Sequence, residues 1–383
     1  MQTTTVGSWP RPTALVRAHK AWKAGRGSEE EFTRLADTAV LDWLKLQETL
    51  GLDIVTDGEQ RRDNFYSFAA EKLEGVTLMS LAEMLDIVED RVGFERLLQS
   101  LDVPAYSILN PTCVGKVLRK APLALGELEF VKAHTSKPVK VPLPGPYLLT
   151  RAMWVKEVTR NVYESKEALA EDVIEVLRGE IADLIAGGAA FVQLDEPVLT
   201  EVALNPGGTR TFMCAALASR ADPTEELEWA VSLINRTLEG FRGKGARLGL
   251  HVCRGNWSVN ESTLLRGAYH PLAPYLVRLD VDQLVLEFAT PRAGELSSLF
   301  EAADFSGKEL GFGVVNPRTP EVETVEQIRA RVQEAKHFLP TEKLFLNPDC
   351  GFATFATRPM NEVEIATQKL KAMIEAGQIT GLV

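Results

Sequence analysis

The sequence predicts an α/β protein, a (β/α)8 TIM barrel with extra chain inserted between its second and third strands. Three observations carry that expectation. Eight short runs rich in Val, Leu, Ile and Phe recur along the 383 residues, each stopped by Gly, Pro or Asn. Helical patterns lie between them, and strand alternating with helix implies parallel strands joined by crossovers. A doubly wound open sheet usually carries a Gly-rich phosphate turn after its first strand, and GSWPRP is not one.

The runs, in order, are TTTVGSWP (3–10), LDIVTDGE (52–59), VKVPLPGP (139–146), FVQLDEP (191–197), RLGLHVCRG (247–255), QLVLEFA (283–289), LGFGVVN (310–316) and LFLNPDCG (344–351). After the first, Phe32, Leu35, Ala36, Ala39, Val40, Trp43 and Leu50 share one helical face. Ser28 with Glu31 opens that helix in a capping-box pattern and Gly51 ends it. Ala170, Val173, Ile174, Leu177, Ile181 and Leu184 make a second stripe, closed by Gly187 and Gly188. Asp222-Pro223, with Glu225 in the box position, opens a third, and residues 320–339 and 361–376 give two more. The stretch 66–138 is too long for a simple βα unit and is expected to hold extra helices and a hairpin lying over the barrel. The whole chain, 1–383, reads as one domain containing that insertion.

Composition bounds the function. The chain is 45% hydrophobic and 25% charged, which is ordinary for a globular enzyme, with a formal net charge of −11. No Lys/Arg-rich block suits a nucleic acid, and no apolar run is long enough to cross a bilayer. The opening MQTTTVGSWPRP lacks the basic and apolar regions of a secretory signal. The expected compartment is the cytosol, where thiols stay reduced. Cys113, Cys214, Cys253 and Cys350 are therefore expected to bind metal, act in catalysis or lie buried, and Cys113 and Cys214, away from strand ends, read as structural.

Residues suited to chemistry gather at the C-terminal ends of the runs, where a barrel builds its active site. His251-Val252-Cys253 ends the fifth run, and residues i and i+2 of a strand point the same way. Glu287 interrupts the apolar LVLEFA, and a buried carboxylate needs a partner. Cys350 ends the eighth run. Together these four offer a mixed N/S/O set suited to zinc. The competing reading is an ion-paired glutamate and two unrelated cysteines. Asp195 and Glu59 end the fourth and second runs and are placed to hold an ammonium group. Equally, each could cap the following helix or pair with Arg61 or Arg62. Gly7-Ser8 could offer backbone N–H groups to a carboxylate or form an ordinary turn. Trp9, Trp154 and Trp257 lie near the same end, with rim or core packing as their default.

These motifs together resemble the catalytic domain of the methionine synthase family that works without cobalamin. VGSWP resembles the family's GSFP, TDGEQRRDNF its HGE-x-x-R-N-D-M segment, LPGP its TGP turn and QLDEP its IDEP segment. HVC resembles the zinc H-x-C, and LVLEFA and NPDCGF resemble the segments bearing the remaining zinc ligands. The likeness runs over nearly the whole chain and matches the short, catalytic-domain-only members. It implies zinc bound by His251, Cys253, Glu287 and Cys350, and an amino acid held by Ser8, Glu59 and Asp195. It also implies an enzyme that activates homocysteine as a zinc thiolate and methylates it; a monomer or homodimer is the expected assembly.

The sequence departs from the family on the methyl-donor side. The segment whose histidine is thought to be the general acid aligns with Val315-Asn316-Pro317-Arg318-Thr319-Pro320, which places Arg318 at the histidine position. The family's pterin-contacting region is not recognisable around Ala152-Met153-Trp154. Donors that need no proton on leaving, such as methylcobalamin, free or on a corrinoid protein, or a sulfonium, therefore compete with methyltetrahydrofolate, and Arg318 is expected either to bind an anionic donor or to hold a carboxylate. Two other readings stay open. One is alkyl transfer to another thiol such as coenzyme M, which would not need Glu59 and Asp195. The other is a non-catalytic zinc- and thiol-binding homologue.

Overall fold

The computed structural model describes residues 1–89, 91–100, 109–205 and 222–378. Seven strands form one curled parallel sheet: β1 (Gln2–Thr3), β4 (Lys140–Pro144), β5 (Phe191–Asp195), β6 (Arg247–Val252), β7 (Gln283–Glu287), β8 (Glu309–Val315) and β9 (Leu344–Pro348). Their order is β1-β9-β8-β7-β6-β5-β4. Each central strand is buried on both faces, which is why it reads as a near-continuous apolar run.

The run expected over 52–59 is not a full strand. Its Asp53 and Ile54 N–H groups donate to Thr3 O, both at 3.2 Å. Val55 makes a single parallel bridge to Val139, with Val55 N–H to Pro138 O and Lys140 N–H to Val55 O both 2.9 Å. The chain then turns at Asp57-Gly58-Glu59, so the ladder has no length. These few bonds still join the two edges of the sheet, and the result is TIM-barrel-like.

The helices follow the expected signals closely. Glu29–Leu50 starts at Ser28, whose hydroxyl accepts the Glu31 N–H, and ends at Gly51 with φ 87°. Lys166–Ala186 stops at Gly187. Pro223–Leu238 is capped by the Asp222 carboxylate on Thr224 and Glu225 N–H. Val325–Ala335 and Val363–Gln378 fall inside or close to the expected ranges. Thr13–Lys23 is an additional helix.

Within 66–138, β2 (Leu73–Ser80) and β3 (Leu109–Arg119) pair as an antiparallel ribbon. The ribbon packs on the helices after β4: Asn110 donates to Ala152 O at 2.7 Å, and Val117 N–H to the Tyr163 hydroxyl at 2.8 Å. Cys113 is buried there, its thiol on Gly115 O, in keeping with a structural role. Cys214 lies outside the described residues. Among the described residues, no helix is long and apolar enough to cross a membrane.

One interlock ties β4 to β5 just past their C-terminal ends. The buried Glu196 carboxylate accepts the Tyr147 and Leu148 N–H groups at 2.8 and 2.9 Å, capping the helix Pro146–Met153. Burial pushes its pKa up to about 8 against those two bonds. A Cβ on Gly145 would sit 2.1 Å from a Glu196 oxygen, so the glycine of LPGP is required for space. Gly145→Ala is expected to destabilise the fold by about 1–3 kcal/mol, read as a lowered midpoint in urea unfolding. An unchanged midpoint would dismiss this interlock.

Candidate active site

The C-terminal ends of β5, β6 and β9, with the turns after β1 and at 57–59, surround one cavity. Ser8, Glu59, Asp195, His251, Cys253 and Cys350 all line it, so six of the eight residues singled out as site residues come together. His251, Cys253 and Cys350 are buried, and their ligand atoms lie within 4.8 Å of one another. His251 and Cys253 meet there because the i, i+2 spacing at the end of β6 aims both inward.

The histidine is fixed in one tautomer. Its Nδ1 lies 3.1 Å from Val285 O and donates to it, so in the neutral ring Nε2 carries the lone pair. That Nε2 is buried without a hydrogen-bond partner. Burial pushes the imidazole pKa down, but the neighbouring Cys253 outweighs it and raises the pKa to about 9. The Cys350 thiol, hydrogen-bonded to Cys253, draws the Cys253 pKa down to about 5, and Cys350 itself is pushed up. Two sulfurs and an imidazole nitrogen gathered this closely suit a thiophilic cation, which would displace the protons they hold.

The acidic wall is strained into place. Glu59 has φ 53°, the one positive value among the described non-glycine residues. Such a conformation costs roughly 1–2 kcal/mol. The Asp57 carboxylate holds the turn by accepting the Glu59 N–H at 2.9 Å, and Arg11 holds the Glu59 carbonyl at 2.7 Å. Glu59 presses on Gly7, where a Cβ would meet its Oε1 at 2.4 Å, and its Oε2 is buried without a partner. Burial raises Glu59 to about 7, against the pull of Arg62 and Arg11. Burial likewise raises Asp195 to about 6, despite His251 and the Gln193 amide that donates to it at 2.8 Å. Neither carboxylate caps a helix or pairs with Arg61 or Arg62 side chains. Arg61 binds Asp37 and Arg62 binds Glu127, while Glu196 does the capping. Two carboxylates raised by burial on one cavity wall are groups whose anionic form an ammonium would favour. Ser8 faces Gly351, where a Cβ would fall 2.0 Å from the hydroxyl.

Glu287 and Arg318 lie outside the three-residue cluster. Glu287 ends β7 but is not one of the three clustered ligands. Its Oε2 accepts the Arg254 N–H at 2.8 Å, and its Oε1 lies 3.2 Å from both Arg292 and Arg318. Arg318 does not line the cavity. It is buried, with ion pairs to Glu261, Glu287 and Asp349, so it does not present its charge to a donor. Phe65, Tyr66, Asn256, Thr354 and Phe355 line the cavity without having been singled out, and Trp257, placed near the mouth by sequence, lines it too. Trp9 instead packs in the core, stacked on Trp43 at 4.0 Å. Trp154 also packs in the core.

The sequence pattern of the cobalamin-independent synthase catalytic domain matches residues 1–378. The chain belongs to the cobalamin-independent methionine synthase family. It is 30% identical to a methionine synthase of Pyrococcus furiosus over 377 residues, covering 98% of this chain and 91% of that one. A methionine synthase of Saccharolobus solfataricus is 28% identical over 380 residues, 99% of this chain and 94% of its own. In fold, the chain is similar to a B12-independent methionine synthase from Shewanella sp. W3-18-1, solved in complex with selenomethionine. The TM-score is 0.72, with 24% identity and coverage of 98% and 96%. A methyltransferase from Methanosarcina mazei superposes more loosely, at TM-score 0.52 and 16% identity over 98% of this chain and 93% of its own. Membership of the methionine synthase family favours neither the coenzyme M reading nor the non-catalytic one.

Proposed function

We propose that this chain transfers a methyl group to the sulfur of homocysteine, giving methionine, at a zinc ion in the cavity. The observation that carries the reading is the His251–Cys253–Cys350 cluster in the same cavity as Ser8, Glu59 and Asp195. One imidazole and two cysteines are a zinc donor set, and three protein ligands leave a fourth position for a substrate. The orphaned, tautomer-fixed Nε2 of His251 fits that use. His251, Cys253 and Cys350 would hold the ion, while Glu287 is held beside them by Arg254, Arg292 and Arg318. A zinc ion there would supply the positive charge that keeps a thiol deprotonated at neutral pH, where a free thiol, with pKa about 8.5, is only a few per cent thiolate.

The chain's own residues orient the substrate. Asp195 and Glu59 take its ammonium, and each gains the counter-charge that burial denies it. Ser8 and the backbone at Gly7 take its carboxylate. Phe65, Tyr66, Trp257 and Phe355 give the rest of the cavity an apolar wall that limits water around the sulfur. Selenomethionine in the Shewanella structure is an analogue of the product proposed here. We read the chain as one cytosolic domain with 66–138 as an insertion. The methyl donor is one whose leaving group needs no proton.

The test is methionine formation from homocysteine and each donor, with metal analysis of the same preparation. Protein that carries zinc yet makes no methionine from any of methylcobalamin, a sulfonium or methylfolate would reject the reading. Asp195→Asn is expected to keep its zinc while binding homocysteine roughly ten- to a hundredfold more weakly. One charge-assisted hydrogen bond contributes about 1.5–3 kcal/mol. Calorimetric titration gives the number, and an unchanged affinity would remove Asp195 from the ammonium site.

A further inference from the structure

The guanidinium of Arg318 touches three separate chain segments at once. Its Nε lies 3.2 Å from Glu261, its Nη1 3.2 Å from Glu287 and 3.4 Å from the Asn256 amide oxygen, and its Nη2 3.3 Å from Asp349. Glu287 ends β7. Asp349 follows β9 and precedes Cys350, while Asn256 and Glu261 lie in the loop after β6, just beyond Cys253. Two of these partners are themselves clamps. The other oxygen of Asp349 accepts the Phe288 and Ala289 N–H groups at 2.9 and 2.8 Å, fastening β9 to the end of β7. The Asn256 amide donates to Gly351 O at 2.7 Å and to the Thr354 hydroxyl at 2.8 Å, fastening the loop after β6 to the turn after Cys350. Asn316 accepts the Arg318 N–H at 3.1 Å and so holds the arginine's own backbone.

We infer that Arg318 is a positioning residue. It holds the strand ends that carry Cys253 and Cys350 at the spacing the metal needs, and it takes no part in proton transfer. The inference rests on the zinc reading above. Its physical basis is the planar fork of arginine, whose donors point along fixed directions and can satisfy several carboxylates from one buried position. A lysine keeps the charge, but its three donors sit on one compact nitrogen that cannot span Glu261, Glu287 and Asp349 together. Outer partners of this kind typically change metal affinity by roughly ten- to a hundredfold when removed.

The experiment compares zinc release from the holoenzyme to excess chelator, and the visible spectrum of the cobalt-substituted protein, in wild type, Arg318→Lys, Arg318→Met and Asp349→Asn. Circular dichroism and thermal melts accompany each. In Asp349→Asn the amide oxygen still accepts the Phe288 and Ala289 N–H groups while the bond to Arg318 is lost, so this variant tests the link even if the arginine variants fold poorly. The expected result is release faster by roughly ten- to a hundredfold and altered cobalt bands in all three. The double variant Arg318→Met/Asp349→Asn should do less than the sum of the singles. Unchanged release and unchanged cobalt bands in folded Arg318→Lys and Asp349→Asn would overturn the inference. So would Arg318→His that gains turnover with methylfolate while its zinc release stays at the wild-type rate, because that outcome assigns the position to proton transfer. Wild-type protein that binds no zinc would instead overturn the metal reading, which keeps the two failures distinct.

Discussion

Cys350→Ser is expected to strip the protein of zinc, from about one ion per chain to a small fraction of that, and to abolish methionine formation. Cys350 is one of two sulfurs in a three-residue cluster, and a serine hydroxyl is a far weaker ligand for zinc than a thiolate. The change is nearly isosteric in a buried position, so the fold should survive without metal. Binding to the native state adds stability by mass action, so the wild-type holoenzyme should melt above the variant, and a chelator should lower only the wild type's melting temperature. Cys113→Ser is the control. Its sulfur sits in the β2–β3 ribbon against Gly115 O, and zinc content should not move. Plasma emission spectrometry on desalted protein decides the matter. Full zinc occupancy in Cys350→Ser would sink the ligand assignment.

The gathering of His251, Cys253 and Cys350 was legible in the sequence because it is written locally. The i, i+2 spacing of His251 and Cys253 aims both inward from one strand, and Cys350 stands directly after another apolar run. The curled parallel sheet was legible for the same reason, since buried parallel strands are apolar throughout. The run at 52–59 was overestimated because its apolar residues give way at once to the strained Asp57–Glu59 turn, and a hydrophobic pattern records burial, not the length of a ladder. The surroundings of Glu287 were not legible. Arg254, Arg292 and Arg318 come from three different loops, and only their convergence in space shows that this carboxylate is already matched by positive charge. Glu196 was hidden likewise. Its role as a cap depends on a helix start some fifty residues earlier in the chain, at Pro146.

Turnover with methylcobalamin or a sulfonium donor is expected to exceed turnover with methyltetrahydrofolate by roughly 10²–10⁴-fold, the usual contribution of a positioned general acid. The N5 of methylfolate leaves as an amine and needs a proton at or before the transition state. Cob(I)alamin and a neutral sulfide leave without one. At the position where the family resemblance implies a histidine, this chain has Arg318, which stays charged throughout and is locked among Glu261, Glu287 and Asp349. Among the described residues lining the cavity, the groups able to protonate near neutrality are Glu59, Asp195 and His251. In the function proposed above the first two take the substrate ammonium and the third takes the metal, so each would have to leave that task to serve as the acid. The measurement is steady-state methionine formation with homocysteine and each donor in turn, with mono- and triglutamate methylfolate as separate arms. Methylfolate turnover equal to or faster than that of methylcobalamin and the sulfonium would show that another group delivers the proton, and the donor proposal would fall while the zinc and homocysteine assignments stood.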